Sequence, residues 1–201
     1  MTRNPIRSVA AALTGAVVIM TATLAAAAQA GEQLVRLDAV MAEGKKPIYD
    51  AMTLNIWRLD GGKAVERIAE RHAAPTEIAL KVGHYRVVAD YRNARRVTDI
   101  EVSETVAARH VINLNAGRVR LNLLPDIDGD PVRRSLNWEI RRYRRGSEPG
   151  RKVADVQAGR PELLLSAGWY EVHVTHRERT VRHVVEVTAG TELDYAILMK
   201  E

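Results

Sequence analysis

The densest chemistry in the chain is cationic. Between residues 133 and 152 lie Arg133, Arg134, Arg141, Arg142, Arg144, Arg145, Arg151 and Lys152, set against Glu139 and Glu148. Guanidinium groups grip carboxylate, sulfate and phosphate through paired N–H donors. Arg141, Arg142, Arg144 and Arg145 are therefore candidate contacts for an anionic glycan, a lipid headgroup or an acidic protein patch. Trp169 joins them as a candidate binding residue, because it stands next to a tyrosine expected to face inward and should itself face outward. A compositional explanation competes with the functional one. Arginine outnumbers lysine 24 to 6 over the whole chain, and alternate strand positions send neighbouring arginines to opposite faces.

Other reactive groups make weaker cases. Asp126, Asp128 and Asp130 stand at alternate positions, as in the opening of a calcium loop, but Pro131 occupies the place where that loop requires glycine, and Asn137 the place of its closing glutamate. A surface turn is expected there. His173, His176 and His183 could in principle supply three zinc ligands, yet their repeat counterparts Val88, Tyr91 and Thr98 ligate nothing, and no metal is expected. There is no cysteine, which excludes a disulfide scaffold, a thiolate metal site and a thiol nucleophile. Beyond the first thirty residues the serines are Ser103, Ser135, Ser147 and Ser166, none inside a Gly-x-Ser-x-Gly turn. The chain is expected to have no catalytic residues and no cofactor, and not to be an enzyme.

The elements that must position these groups are legible through a repeat. Val35-Arg36-Leu37-Asp38 returns as Val119-Arg120-Leu121-Asn122, 84 residues on, and Glu77 to Val87 aligns with Glu162 to Val172 at a spacing of 85. Trp57 and Leu59 are matched to Trp138 and Ile140. Ile100 and Val102 match Val185 and Val187, and Ile112 and Leu114 match Ile197 and Met199. Two copies of one unit follow, joined by a short hinge at Asn115-Ala116-Gly117. The runs alternate with period two, as in Val35, Leu37 and Ala39 or Tyr85, Val87 and Ala89, so each is a strand with one buried face. Asp60-Gly61-Gly62, Gly83, Asp128-Gly129 and Ala189-Gly190 punctuate them. The sequence predicts an all-β chain of two tandem, small antiparallel β-sandwiches, with a signal peptide over residues 1–30, repeat 1 over 31–116 and repeat 2 over 117–201. Trp57, Trp138, Tyr85 and Tyr170 should supply the bulk of the cores, since there is no phenylalanine.

A tryptophan-bearing strand, then Leu-x-x-Gly-x-Tyr-x-Val, a Val-x-Val strand and a closing apolar strand resemble the carboxypeptidase regulatory-like, transthyretin-like sandwich repeats of bacterial envelope proteins. The pattern is also similar to repeats found beside von Willebrand factor A-type domains. The motif reads Leu80, Gly83, Tyr85 and Val87 in the first copy, and Leu165, Gly168, Tyr170 and Val172 in the second. The resemblance spans nearly all of the chain after residue 30 and implies an Ig-like, non-catalytic accessory or binding module.

Arg3 and Arg7 precede an uncharged stretch from Val9 to Ala28 that ends at Ala28-Gln29-Ala30. This is the layout of a secretory signal with cleavage after Ala30; an uncleaved anchor is the alternative, because the stretch approaches the roughly 20 residues a spanning helix needs. Removing it lowers the formal charge from +5, the value for the whole chain, to +3. A mild basic excess on an exported chain gives nucleic-acid binding little support. The expected protein is periplasmic or secreted, touches membrane only during export, and serves as an interaction or structural module whose partner is an envelope protein. The alternative is a carbohydrate-binding or anionic-polymer-binding protein that uses the arginines and Trp169 of repeat 2 on an anionic glycan.

Overall fold

A computed structural model describes residues 31–104, 109–146 and 148–199; the signal-peptide expectation falls on residues 1–30, outside the described ones. The first unit contains β1 (Glu32–Val40), β2 (Asp50–Asp60), β3 (Lys63–Ala74), β4 (Thr76–Lys81), β5 (Gly83–Tyr91), β6 (Ala94–Val102) and β7 (Arg109–Asn113). The second contains β8 (Ala116–Leu124), β9 (Leu136–Arg142), β10 (Lys152–Ala158), β11 (Glu162–Ser166), β12 (Gly168–His176), β13 (Arg179–Val187) and β14 (Glu192–Leu198).

Each unit packs a three-stranded sheet on a four-stranded one, in the orders β4-β1-β7 and β3-β2-β5-β6, then β11-β8-β14 and β10-β9-β12-β13. The second pair of orders is the first with seven added to every strand, so the repeat seen in the sequence is a repeat of topology. Within the expected sandwich one detail differs. β1 pairs with β7, and β8 with β14, in parallel, while every other strand pair is antiparallel. The three-stranded sheets are therefore mixed.

Period-two burial gives each unit its own core. Val35, Leu37, Ala39, Leu54, Ile56, Tyr85, Val87 and Ile112 fill the first; Val119, Leu121, Trp138, Ile140, Tyr170, Val172, Val185 and Ile197 fill the second. Tyr85 and Tyr170 lie at the same repeat position and are anchored alike: the hydroxyls donate to the Lys81 and Ser166 carbonyls at 2.8 and 2.6 Å. Burying a phenol without such a partner would cost about 1–3 kcal/mol.

The tryptophans behave differently from the expectation. Trp138 is fully buried, with its indole N–H donating to the Ala158 carbonyl at 2.8 Å, but Trp57 is only half-buried. Leu54 pairs with Ala89 on β5 and Trp138 with Val174 on β12, and Ala89 and Val174 are repeat equivalents. The true counterpart of Trp138 is thus Leu54, at the spacing of 84 found for the first strands. Matching Trp57 to Trp138 slips the register by three residues. An odd slip moves a side chain to the opposite face of a strand, so Trp57 lies on the outer surface, with Met52, Leu54 and Ile56 inside.

The joint is shorter than expected, because Ala116 and Gly117 already belong to β8. Asn115 turns through a left-handed conformation (φ 48°), and backbone bonds pin the surroundings. Ala116 N–H donates to Met41 at 2.8 Å, Ala167 N–H to Asn115 at 2.6 Å and Gly190 N–H to Ala116 at 2.8 Å. Leu164 projects from β11 into the core of the first unit.

Candidate functional site

The arginine-rich stretch does not stay together. β9 runs from Leu136 to Arg142, so Arg133 and Arg134 lie before its start, and Arg144 and Arg145 after its end, with about 20 Å of strand between them.

Arg141 points to the outer face of the four-stranded sheet, the face opposite Trp138 and Ile140. Its Nε lies 2.5 Å from Glu139 Oε1 and its Nη1 donates to the Gly150 carbonyl at 3.1 Å. Lys152 approaches Glu139 and Asp155 at 3.8 and 2.9 Å, and His173 adds contacts to Glu139 and Glu171. The hydrogen bond from Arg141 holds the Glu139 carboxyl below the ordinary range, and the same bond raises Arg141. Arg141 is part of a charge-balanced lattice on the sheet.

Arg142 turns the other way. Its guanidinium stacks over the Tyr170 ring at 4.5 Å and donates from Nη1 to the Ala167 carbonyl at 3.2 Å. The fit depends on Gly168, whose φ of +136° places a hypothetical Cβ 2.7 Å from Arg142 Nη1. Arg142 thus covers the buried phenol and ties the end of β9 to the start of β12.

Arg144 and Arg145 are both exposed; Arg144 lies 3.5 Å from Glu148. Arg145 lines an open cleft of about 560 Å³ with Arg142, Tyr143, Trp169 and Val184. The cleft is built by pairing: Tyr143 N–H donates to the Trp169 carbonyl at 2.9 Å, which sets the two aromatic side chains side by side beyond the last β9–β12 pair. Trp169 is 50% exposed and Tyr143 42%. An indole and a phenol with open faces beside an exposed guanidinium can stack on a sugar ring or take the apolar and acidic side chains of a protein. Tyr143 and Val184 were missed in the sequence because neither stands out alone; only the cross-strand neighbours of Trp169 reveal them.

The three histidines are separated. His173 lies between Glu139 and Glu171 on the outer face, His176 lies against Arg134, and His183 stands opposite Val172 in the β12–β13 ladder. Among the described residues no group of three or more His, Asp and Glu side chains gathers where it could hold a metal ion. The Asp126–Asp130 segment forms a turn in which Gly129 N–H donates to the Asp126 carbonyl at 3.1 Å.

A further group was hidden by strand alternation. Asp38 occupies an outward position of β1, yet it is buried (1% exposed). Arg36 Nε and Arg109 Nε reach its two oxygens at 3.1 and 2.5 Å. The Arg109 arm comes from β7, 71 residues away, which is why the pair is invisible locally.

No family model matches the sequence, and no curated protein matches it. Among solved structures, the Bacillus anthracis TIE protein is similar at 14% identity, over 85% of this chain and 34% of that one, with a TM-score of 0.35. The Streptococcal ancillary pilin is similar at 12% identity, over 82% of this chain and 62% of that one, TM-score 0.40. The shaft pilin SpaA of Lactobacillus rhamnosus GG is similar at 9% identity, over 85% and 98%, TM-score 0.39. The chain spans about a third of the first of these proteins and under two thirds of the second. At such loose overlap the assignment of an all-β double sandwich stands on strand order and register. Among the described residues no helix is long and apolar enough to cross a membrane.

Proposed function

We propose that this chain is an exported, non-catalytic interaction module of the cell envelope, of the carboxypeptidase regulatory-like kind, which engages an envelope protein through the second sandwich. The observation that carries this reading is the cleft in which Trp169, Tyr143 and Val184 expose apolar surface beside Arg145. Exposed aromatic and arginine side chains of this type dominate the energetics of protein interfaces. Export rests on the layout of residues 1–30. The test places a photo-crosslinking amino acid at position 169 and, as a control, at exposed position 65 on β3. A discrete adduct in envelope extract from position 169, absent from position 65 and lost with Tyr143→Ala, is the expected result. Equal labelling from both positions would remove the proposal.

A second reading, a carbohydrate-binding or anionic-polymer-binding protein, is supported by the indole and guanidinium sharing one cleft. It predicts retention on a heparin column that falls with Trp169→Ala or Arg145→Ser. Because Arg141 and Arg142 are engaged within the fold, their replacement belongs to stability and is not a test of binding.

A further inference from the structure

The second sandwich carries a different cationic group at its other end. β8 starts at the joint and finishes at Leu124; β12 starts at the joint and finishes at His176. The loop before β9 and the β12–β13 turn therefore meet at the pole far from the first unit. There Arg133, Arg134, His176, Arg177 and Arg179, together with Asp126, line a cleft of about 780 Å³.

Three observations distinguish this cleft from a solvated charge run. His176 is nine-tenths buried, so the site has a fixed polar wall. Arg134 is clasped to it, with Nη2 at 2.7 Å from Nδ1 and Nε at 3.2 Å from the same atom. In that contact the guanidinium meets an imidazole, a hydrogen-bond acceptor that carries no negative charge. Finally, the corresponding pole of the first unit is built with paired charges. The counterpart of His176 is Tyr91, whose hydroxyl donates to Asp50 at 2.8 Å while Arg92 lies over its ring. There Asp90 also takes Arg95 at 3.1 Å, so acids and bases are matched; the second pole collects four arginines around an imidazole, with Asp126 as an acid in the lining.

We propose that the far pole of the second sandwich, where Arg133, Arg134, Arg177 and Arg179 surround His176, binds a phosphate group, free or carried as an ester. Several guanidiniums around a compact tetrahedral dianion supply paired donors to each oxygen. The like charges that repel one another in the empty cleft are neutralised when it is filled. Left-handed backbone at Arg177 and Glu178 (φ 49° and 66°) makes the β12–β13 turn tight, and Arg179 pairs with His176 in the ladder, so both arginines are carried on short, constrained backbone. This site is independent of the Trp169 cleft, at the opposite end of β12.

The test titrates the purified full chain with inorganic phosphate against chloride at matched ionic strength, following thermal unfolding. Phosphate should raise the melting temperature, and Arg134→Gln with Arg177→Gln should weaken the apparent affinity about a hundredfold, taking about tenfold for each charge-assisted hydrogen bond lost. Arg58→Gln with Arg96→Gln, both exposed in the first unit, should leave it unchanged. Should the first pair fail to fold, Arg179→Gln alone, on an exposed side chain, should weaken binding about tenfold. Absence of a phosphate-dependent shift, or equal shifts in the wild type and the variants, would overturn the proposal. Glycerol 3-phosphate and vesicles of phosphatidylcholine with or without phosphatidic acid separate the sources. Flotation with phosphatidic acid that is lost in the Arg134→Gln, Arg177→Gln chain marks a membrane-borne phosphate, and equal flotation of both chains marks a free or soluble ester.

Discussion

Arg142 and Arg145 sit three residues apart and do different work, because the backbone turns between them. Arg142 covers the Tyr170 ring and bonds to a carbonyl. Its replacement by alanine removes a partly desolvated cation–π contact and a charge-assisted hydrogen bond, and should cost about 2 kcal/mol, read as a lower urea midpoint. Arg145→Ala should leave the midpoint within about 0.5 kcal/mol of the parent, as expected of an exposed side chain. His176 supplies a pH-dependent element of stability. Desolvation first, then the charges of Arg134 and Arg177, hold its imidazole below the ordinary value of 6.5; Arg133, Arg179 and Asp126 also face the cleft. The unfolded chain therefore takes up a proton at this residue before the folded one does. Stability from this source is complete above about pH 6.5 and is lost as the pH falls through that value towards the lowered folded pKa. Urea midpoints at pH 7.5 and 5.5 should differ in the parent and differ less in His176→Gln. Asp50, Asp99, Glu139 and Glu162, whose carboxyls are held below their ordinary values of 3.8 and 4.5 by hydrogen bonds, titrate in a lower window and do not mimic the effect.

Strands β5 and β12 open on the same residue type for a shared backbone reason. Gly83 and Gly168 adopt φ of +153° and +136°, as the first residues of the strands that bury Tyr85 and Tyr170. Alanine at either position should cost about 1–3 kcal/mol of backbone strain. Gly168→Ala should cost more than Gly83→Ala, because its Cβ would also displace the Arg142 guanidinium, whereas at Gly83 the nearest atom stands 3.8 Å away on Tyr85. Thermal melts of the two single variants compare them directly. The rhythm of these strands was legible in the sequence, since Tyr85, Val87 and Ala89, like Tyr170, Val172 and Val174, alternate and are buried as read. The counterpart of Trp138 was not, because Trp57 offers a like-for-like match that lies three residues out of register with Leu54.

At the scale of the molecule, the two cores are coupled through Leu164. It follows Leu163 and precedes Leu165, which both fill the second core, while Leu164 itself packs into the first. The equivalent position in the first unit is Ala79, which is exposed. Leu164→Ala should destabilise the chain by about 2–3 kcal/mol through the cavity it leaves. Calorimetry should also resolve two transitions where the parent melts in one, since the substitution weakens the joint without entering the second core. A single shifted transition would mean that the backbone bonds at Ala116, Ala167 and Gly190 suffice to couple the units. An unbroken Leu163-Leu164-Leu165 run in an otherwise alternating strand was the available signal: a strand buried on both faces has something packed on its second side.

What the sequence determined alone is the repeat, the period-two strands, the inward tyrosines and the double sandwich they form, because alternation is local and its hydrophobic face must be buried somewhere. Tertiary structure decided what the polar residues do. It locked Arg141 onto Glu139 and Arg142 onto Tyr170, left Arg145 open beside Trp169 and Tyr143, buried Asp38 between Arg36 and Arg109, and brought Arg133 and Arg134 to His176, Arg177 and Arg179 from some forty residues away. A charged side chain takes its role from cross-strand neighbours, and those depend on register and strand order, which no local pattern of residues contains.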